Sequence, residues 1–345
     1  MNIKRWLVRT IDIVAQCIPQ GLMSSPRNDE NHVLSPLLFI LLGLKRKSKT
    51  PPLCERSPQE GRAQYRKDVL PLNAKYKVKD TSDFTIPFDD RQIPLRHYLP
   101  ETSNSLPALL VYFHGGGYVI GDLDTHDDIC RLICKHAGVQ VLSVDYRLAP
   151  EHPYPACIDD ADFVVKWVQS NADRFSIKSN AVIVGGDSAG ATIAAATANN
   201  MAVTSHPVMA QVLIYPGTDR STDWGSYEKF GYDYFLNTLD RDWFYSHYTG
   251  NSPELAEHTN VSPLKYHFVT QPTPTIISTA GFDALRDEGR SYAKALKSAG
   301  ATLNYLHFGQ LTHGFVNLVA VHRQSQKASM EIVEALRGLI KGLDL

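Results

Sequence analysis

The sequence predicts an α/β domain, with a mostly parallel central sheet flanked by helices and covered by a helical cap. Three observations predict it. Short apolar runs alternate with helical patterns from about residue 82 onward. A tight run of small residues, Gly186-Asp187-Ser188-Ala189-Gly190, falls directly between one such run and a helical pattern. An aromatic-rich stretch, residues 217–262, interrupts the alternation and is too long for an ordinary connection between a strand and a helix.

In chain order, residues 1–18 carry Ile3, Trp6, Leu7, Ile11, Val14 and Ile18 at helical spacing, broken by Lys4, Arg5, Arg9 and Asp12, so they are not the uninterrupted apolar core of a secretory signal. Val33 to Leu44 is strongly apolar and is followed by Lys45-Arg46-Lys47. It is shorter than the roughly twenty residues a membrane-spanning helix needs. It reads as a helix over the core or an active-site lid, and a membrane contact through 33–47 is the less favoured alternative. Residues 45–62 are polar and Pro-containing, as in a linker. The division expected is 1–62 as an N-terminal helical cap segment and linker, and 63–345 as the main domain, with a cap insertion at about 217–262.

Ser82–Asp89 and Gln92–Leu99 read as an edge strand pair with a polar turn. Buried parallel strands are expected at 108–113, 139–144, 181–184, 212–215, 275–279 and 303–308, with helices near 125–137, 156–172, 189–203, 286–299 and 325–341. Alternation of this kind gives a sheet covered on both faces.

The chain has 345 residues, 43% hydrophobic and 21% charged, with a formal charge of −1, so nothing draws it to nucleic acid or to an anionic membrane. Its five cysteines have neither disulfide-framework nor zinc spacing, which fits a reducing cytoplasm. Ile120 stands where a dinucleotide loop would place its third glycine, and no Lys follows Gly190 as in a phosphate cradle. No metal or cofactor is expected.

A Gly-x-Ser-x-Gly match is weak alone, but here it follows AVIV and precedes ATIAAATA, the strand–turn–helix setting that exposes a nucleophilic Ser188. His114-Gly115-Gly116-Gly117-Tyr118 follows another strand, and its glycines let backbone N–H groups turn into a cavity. A serine hydroxyl needs a base oriented by a carboxylate. His313 lies in a loop just after the last strand, whereas His307 lies within that strand's pattern and reads as structural. Asp283 sits at the end of a strand; Asp287, one helical turn further, is the alternative acid. Activity should rise with pH as the base loses its proton, an ordinary imidazole titrating near pH ~6.5.

Together HGGGY (114–118), GDLDTHD (121–127), DYRLAPEHPYPA (145–156), GGDSAG (185–190), GFDALRDEG (281–289) and HGF (313–315) resemble the hormone-sensitive-lipase-like carboxylesterases, a branch of the α/β-hydrolase fold, over roughly residues 75–340. The resemblance implies Ser188 as nucleophile, His313 as base and Asp283 as orienting acid. It also implies an oxyanion hole at Gly115, Gly116, Gly117 and Ala189, the last three giving their backbone amides and Gly115 shaping the loop. Departures are Ala284 where the family often has Pro, and Ala191 where it often has a further Gly; neither is expected to cost activity. In the DYRLAPEHPYPA loop, read as scaffold, Arg147 and Glu151 are expected to pair.

The function expected is hydrolysis of short- to medium-chain acyl esters, with a small-molecule ester as partner. A membrane-associated lipid hydrolase and a non-catalytic small-molecule receptor on the same fold are the alternatives. Tyr118, Phe235, Phe244, Leu285 and Phe315 are expected to line the substrate pocket.

Overall fold

The computed structural model describes residues 2–18, 24–48, 50–101 and 105–343. Residues 19–23 of the expected N-terminal segment and Lys49 of the expected linker lie outside the described residues.

Eight strands form one sheet: β1 (Asp80–Phe88), β2 (Arg91–Leu99), β3 (Leu109–Phe113), β4 (Gln140–Val144), β5 (Val182–Asp187), β6 (Ala210–Ile214), β7 (Thr275–Phe282) and β8 (Leu303–Thr312), in the order β1-β2-β4-β3-β5-β6-β7-β8. β1 and β2 form an antiparallel pair, β2 runs antiparallel to β4, and the other pairs are parallel. The six strands β3 to β8 correspond to the expected apolar runs, but β5, β7 and β8 continue past them. Their last residues, Gly185-Gly186-Asp187, Ala280-Gly281-Phe282 and Gly309 to Thr312, are mostly small or polar, so an apolar run stops short of the strand. Each of these three strands ends one residue before Ser188, Asp283 or His313.

From β3 the chain passes through α4 (Asp127–Ala137) to β4 on one side. From β5 it passes through α6 (Ala189–Ala202) to β6 on the other. The connections diverge between β3 and β5, and this opens a crevice at their carboxyl ends. One face of the sheet packs against α5 (Ala156–Ser170), α6 and α10 (Arg286–Ser298); the other packs against α4, α11 (Arg323–Lys341) and the apolar side of α2 (Pro36–Lys47). α6 is almost all Ala, Gly and Thr and is buried through Asn199, so its backbone lies close to the sheet.

α1 (Ile3–Cys17) turns Val8 and Ala15 inward and leaves Ile3, Trp6, Leu7, Ile13 and Val14 exposed, while α2 buries Leu37, Leu38 and Leu42. Among the described residues no helix is long and apolar enough to cross a membrane. The expected linker gives way at residue 58 to α3 (Pro58–Val69), which runs through the expected boundary at 62. Its start is a capping box, in which Ser57 and Glu60 cap each other's backbone N–H with Pro58 in the first turn. Polar composition hid that signal.

The Pro-rich loop is scaffold, but not through the expected pair. Arg147 bonds Asp160 of α5 at 2.8 Å and Glu151 bonds Arg62 of α3 at 2.6 Å, because each loop side chain faces a different helix. The insertion holds α7 (Gly225–Phe230), α8 (Thr238–Thr249) and the short turn α9 (Pro253–Ala256).

A small hairpin closed by an Arg27–Val33 bridge clamps the N-terminal segment to the far side of the sheet. Asp29 pairs with Arg286 and Lys229, and Glu30 pairs with Arg290 and His307. The Arg290 hydrogen bond outweighs burial and holds the Glu30 carboxyl down at about 2, and Arg286 holds Asp29 well below the carboxylate range. A depressed folded-state value means that the clamp is at full strength above the unfolded glutamate value of about 4.3 and weakens as pH falls below it. Hydrogen exchange of 24–35, referenced to β3 and β5, should therefore accelerate between pH 5 and pH 3. Equal relative protection at both pH values would sink this assignment.

Candidate active site

The turn after β5 brings the site together. Ser188 has φ 53° and ψ −124°, a sparsely populated conformation for a residue with a side chain. It is held by its N–H donating to Ile214 O at 2.9 Å, and its own carbonyl accepts from Thr192 N. Gly186 and Gly190 are required by contact: a Cβ on either would fall on the Phe113 carbonyl oxygen at the end of β3. The sharpness of the turn and the nearness of β3 are one constraint.

His313 Nε2 lies 2.8 Å from Ser188 Oγ, and His313 Nδ1 lies 2.8 Å from Asp283 Oδ2. The Asp283 side chain is buried, and its Oδ1 accepts the Leu285 N–H at 2.9 Å. Between the two acids left open by the sequence, geometry selects Asp283, since Asp287 accepts from Arg286 Nε at 2.8 Å instead. His307 is bonded to Thr279 at 2.9 Å and set against Glu30 and Arg290; burial takes its imidazole down to about 4. Glu30, His32 and His307 stand within metal-sharing distance, but the Arg290 guanidinium already occupies Glu30 and His307.

The loop after β3 faces Ser188. Gly116 and Gly117 have φ of 124° and 58°, and a Cβ on them would overlap the Ile120 carbonyl and the Phe244 ring. Among the described residues the N–H groups of Gly116, Gly117 and Ala189 have no acceptor. The Gly115 N–H does have one, Asp187 Oδ1 at 2.9 Å, so Gly115 shapes the loop and gives no free donor.

Asp187 is the residue that sequence reasoning missed, although it is the second residue of the Ser188 motif. Its buried carboxylate also accepts from Tyr112 Oη at 2.8 Å and Tyr215 Oη at 3.3 Å, with His126 Nε2 at 3.5 Å. Burial works to raise its pKa, but His126 and these hydrogen bonds outweigh it and the carboxyl stays below its ordinary value. Asn28 was missed as well, and no local pattern marks it. Between β7 and β8 a bulge sets Gly281 against Gly309 to Leu311. The Asn28 amide donates to the Gly281 and Gly309 carbonyls at 3.2 and 3.3 Å, fixing the two strand ends that carry Asp283 and His313.

A cavity of about 620 Å³ opens onto Ser188 and His313. Tyr118, Phe235, Phe244 and Leu285 line it, together with residues of α1, α2 and α3. Phe315 does not. The left-handed Gly314 (φ 76°) turns it behind His313 into the core, edge-on to Tyr215 at 5.0 Å and Phe308 at 5.4 Å. Gly314 and Asn317 form the wall instead.

Residues 110–317 match a protein family described as having the alpha/beta hydrolase fold. The chain is 43% identical over 265 residues to the carboxylic ester hydrolase LipN of Mycobacterium tuberculosis, covering 75% of this chain and 70% of that protein. It is 32% identical over 297 residues to the ethyl acetate hydrolase of Pseudomonas putida, covering 84% and 92%. Among solved structures, an ester hydrolase from the metagenome of Lake Arreo superposes with a TM-score of 0.84 at 35% identity, covering 89% of this chain and 99% of that one. The hyperthermophilic esterase of the archaeon Pyrobaculum calidifontis superposes with a TM-score of 0.83 at 32% identity, covering 88% and 98%. With these matches spanning the sheet, the Ser188 turn and the loop of His313, the chain belongs to the α/β-hydrolase family, in its hormone-sensitive-lipase-like carboxylesterase branch.

Proposed function

We propose that the chain is a serine carboxylester hydrolase acting on short- to medium-chain acyl esters through an acyl-enzyme, with Ser188 as nucleophile, His313 as base and Asp283 as orienting acid. The observation that carries this reading is the unbroken line Asp283–His313–Ser188, both links 2.8 Å, at the wall of the cavity. His313 takes the proton of Ser188 Oγ as that oxygen attacks the ester carbonyl. The tetrahedral oxyanion is stabilised by the N–H groups of Gly116, Gly117 and Ala189, which are otherwise without acceptors among the described residues. His313 then gives the proton to the departing alcohol oxygen. Water, deprotonated by the same imidazole, attacks the acyl-enzyme and releases the acid. Asp283 keeps Nδ1 protonated, so that Nε2 is the basic nitrogen facing Ser188, and it stabilises the imidazolium.

The N-terminal segment and the 217–262 insertion act in this reading as a cap that bounds the acyl chain, which is why shorter chains are favoured. The enclosing rings of Tyr118, Phe235 and Phe244 support it.

Hydrolysis of a p-nitrophenyl ester series of increasing acyl length tests the reading. The wild type should prefer the shorter members, and Ser188→Ala should lose several orders of magnitude in kcat, about 10⁴-fold or more. A wild type inactive on every member, or a Ser188→Ala protein of comparable rate, would overturn it.

Asp187 acts in this reading as a positioning residue: by accepting the Gly115 N–H it holds the loop that carries the Gly116 and Gly117 amides. In Asp187→Asn one carboxylate oxygen becomes an NH₂ facing N–H and O–H donors, leaving buried donors unpaired at about 1–3 kcal/mol. Melting temperature and kcat should fall together while KM stays within a few-fold. A melting temperature and kcat equal to wild type would refute this positioning role.

A further inference from the structure

The cavity is apolar around Ser188 but contains one feature that ester hydrolysis does not use. Arg241, on α8, lines it and is only 6% exposed. Its guanidinium carbon lies over the Tyr227 ring, 3.7 Å from the centroid, and its Nη2 makes a 3.3 Å bond to Asp242 Oδ1. Among the described residues its Nε and Nη1 have no acceptor. The Tyr227 ring covers one face of the guanidinium, and two of its edge donors are buried without a partner among the described residues.

Apart from the Asp242 contact to Nη2, the neighbouring acids leave Nε and Nη1 unmet among the described residues. Asp242 is about half exposed and is shared with Arg220 at 3.1 Å. Both Glu288 oxygens are taken, Oε2 by the N–H groups of Thr218 and Asp219 at 2.6 Å each and Oε1 by Tyr227 Oη at 2.8 Å. Asp240 accepts the Cys54 N–H at 3.1 Å and the Asn237 amide at 2.7 Å. A buried cation with two idle donors is costly unless something with negative charge and acceptor capacity meets it.

Its place on α8 fixes where that acceptor would sit. Phe244 and Tyr245 are three and four residues further along and therefore share its helix face. The Phe244 ring packs against Gly117 of the loop facing Ser188, and Tyr245 Oη lies beside Gly217, whose carbonyl accepts from Thr192, one turn after Ser188. Arg241 thus stands one turn of α8 before two residues that line the same cavity wall as Ser188. An acyl chain attached to Ser188 at one end and carrying a charged group at the other would run along that wall.

We propose that Arg241 is a specificity residue for esters whose acyl chain ends in a carboxylate, that is, monoesters of dicarboxylic acids. The assignment rests on the ester-hydrolase reading above and names its substrate class. The far carboxylate accepts from Nε and Nη1, and the ester carbonyl lies at Ser188. A neutral acyl chain of the same length leaves the guanidinium without an acceptor.

The test compares p-nitrophenyl hexanoate with mono-p-nitrophenyl adipate, equal in carbon count, in wild type and Arg241→Met. The readout is the ratio of kcat/KM for the acid ester to that for the neutral ester. Arg241→Met should lower it about 30-fold, the scale of a lost charge-assisted contact. Free adipate should competitively inhibit hexanoate hydrolysis by the wild type and lose that inhibition in the variant.

If the folded variant keeps the wild-type ratio, or if adipate inhibits both proteins equally, the assignment is overturned and Arg241 only braces Tyr227. Should Arg241→Met fail to fold, Arg241→Lys with the same two esters and adipate inhibition replaces it, because a lysine keeps charge but not the stacked edge. A wild type inactive on both esters would strike the ester-hydrolase reading instead. Calorimetric titration of adipate into wild type and variant would then still decide the Arg241 site.

Discussion

The carboxylate of Asp187 is the interaction on which the rest of the site depends. It stands at the crevice between β3 and β5 and accepts from groups on three parts of the chain, Tyr112 on β3, Gly115 just after it and Tyr215 after β6, with His126, before α4, 3.5 Å away. Because Asp187 is bonded covalently to Ser188, the loop after β3 and the turn after β5 cannot shift independently. The glycine requirement follows. With the two chain segments held this close, the Phe113 carbonyl leaves no room for a Cβ at 186 or 190, and the Asp187 side chain leaves none at 115. His114, stacked on Tyr146 at 4.4 Å, is dry enough that burial takes its imidazole down to about 4, so it packs as a neutral ring.

The other half of the site is placed from the opposite end of the sequence. Asp283 and His313 sit at the ends of adjacent strands, but an ideal ladder would not bring the His313 ring across to Ser188. The three-against-one bulge between β7 and β8 breaks the ladder register at Gly281 and Gly309 to Leu311. The Asn28 amide donates to the Gly281 and Gly309 carbonyls, and Ser35 N donates to the Gln310 carbonyl at 3.0 Å. Gly309 is glycine because the His32 ring lies where its Cβ would be. Residues 28–35 therefore act as the missing strand segment for a bulge that they do not adjoin in sequence. The N-terminal segment belongs to the site's scaffold as well as to the cavity wall.

This arrangement explains which parts were legible in the sequence. The parallel strands, most of the helices and the positions of Ser188, Asp283 and His313 could be read because each rests on a local pattern: an apolar run, a 3.6-residue period, a polar residue just past a strand. The strand ends at 187, 282 and 312 could not, since they are made of residues whose burial comes from tertiary contact and not from their own hydrophobicity. Phe315 was misplaced for a related reason. Its sequence neighbourhood shows an aromatic beside His313, but only the backbone turn at Gly314 decides that the ring goes into the core. Asn28 and Asp187 are polar side chains whose partners are distant in sequence, and a single chain read linearly has no signal for them.

A last consequence concerns strain. Ser188 holds a φ, ψ combination that costs about 1–3 kcal/mol for a residue with a side chain. It persists because the surroundings fix it from three directions: Ile214 O takes its N–H, Thr192 N takes its carbonyl, and the α6 helix begins at once with Ala189. The return on that strain is positional. Relaxing the turn to an ordinary helical N-cap would swing Oγ back toward the first turn of α6, where a serine caps its own helix, and away from His313 Nε2. The conformation thus withholds the hydroxyl from its most natural local acceptor role and presents it to the imidazole, with the amide of Ala189 left uncapped on the same side. Strain, free donor and aligned base are three results of one backbone choice, made possible by the two glycines and the Asp187 carboxylate beside it.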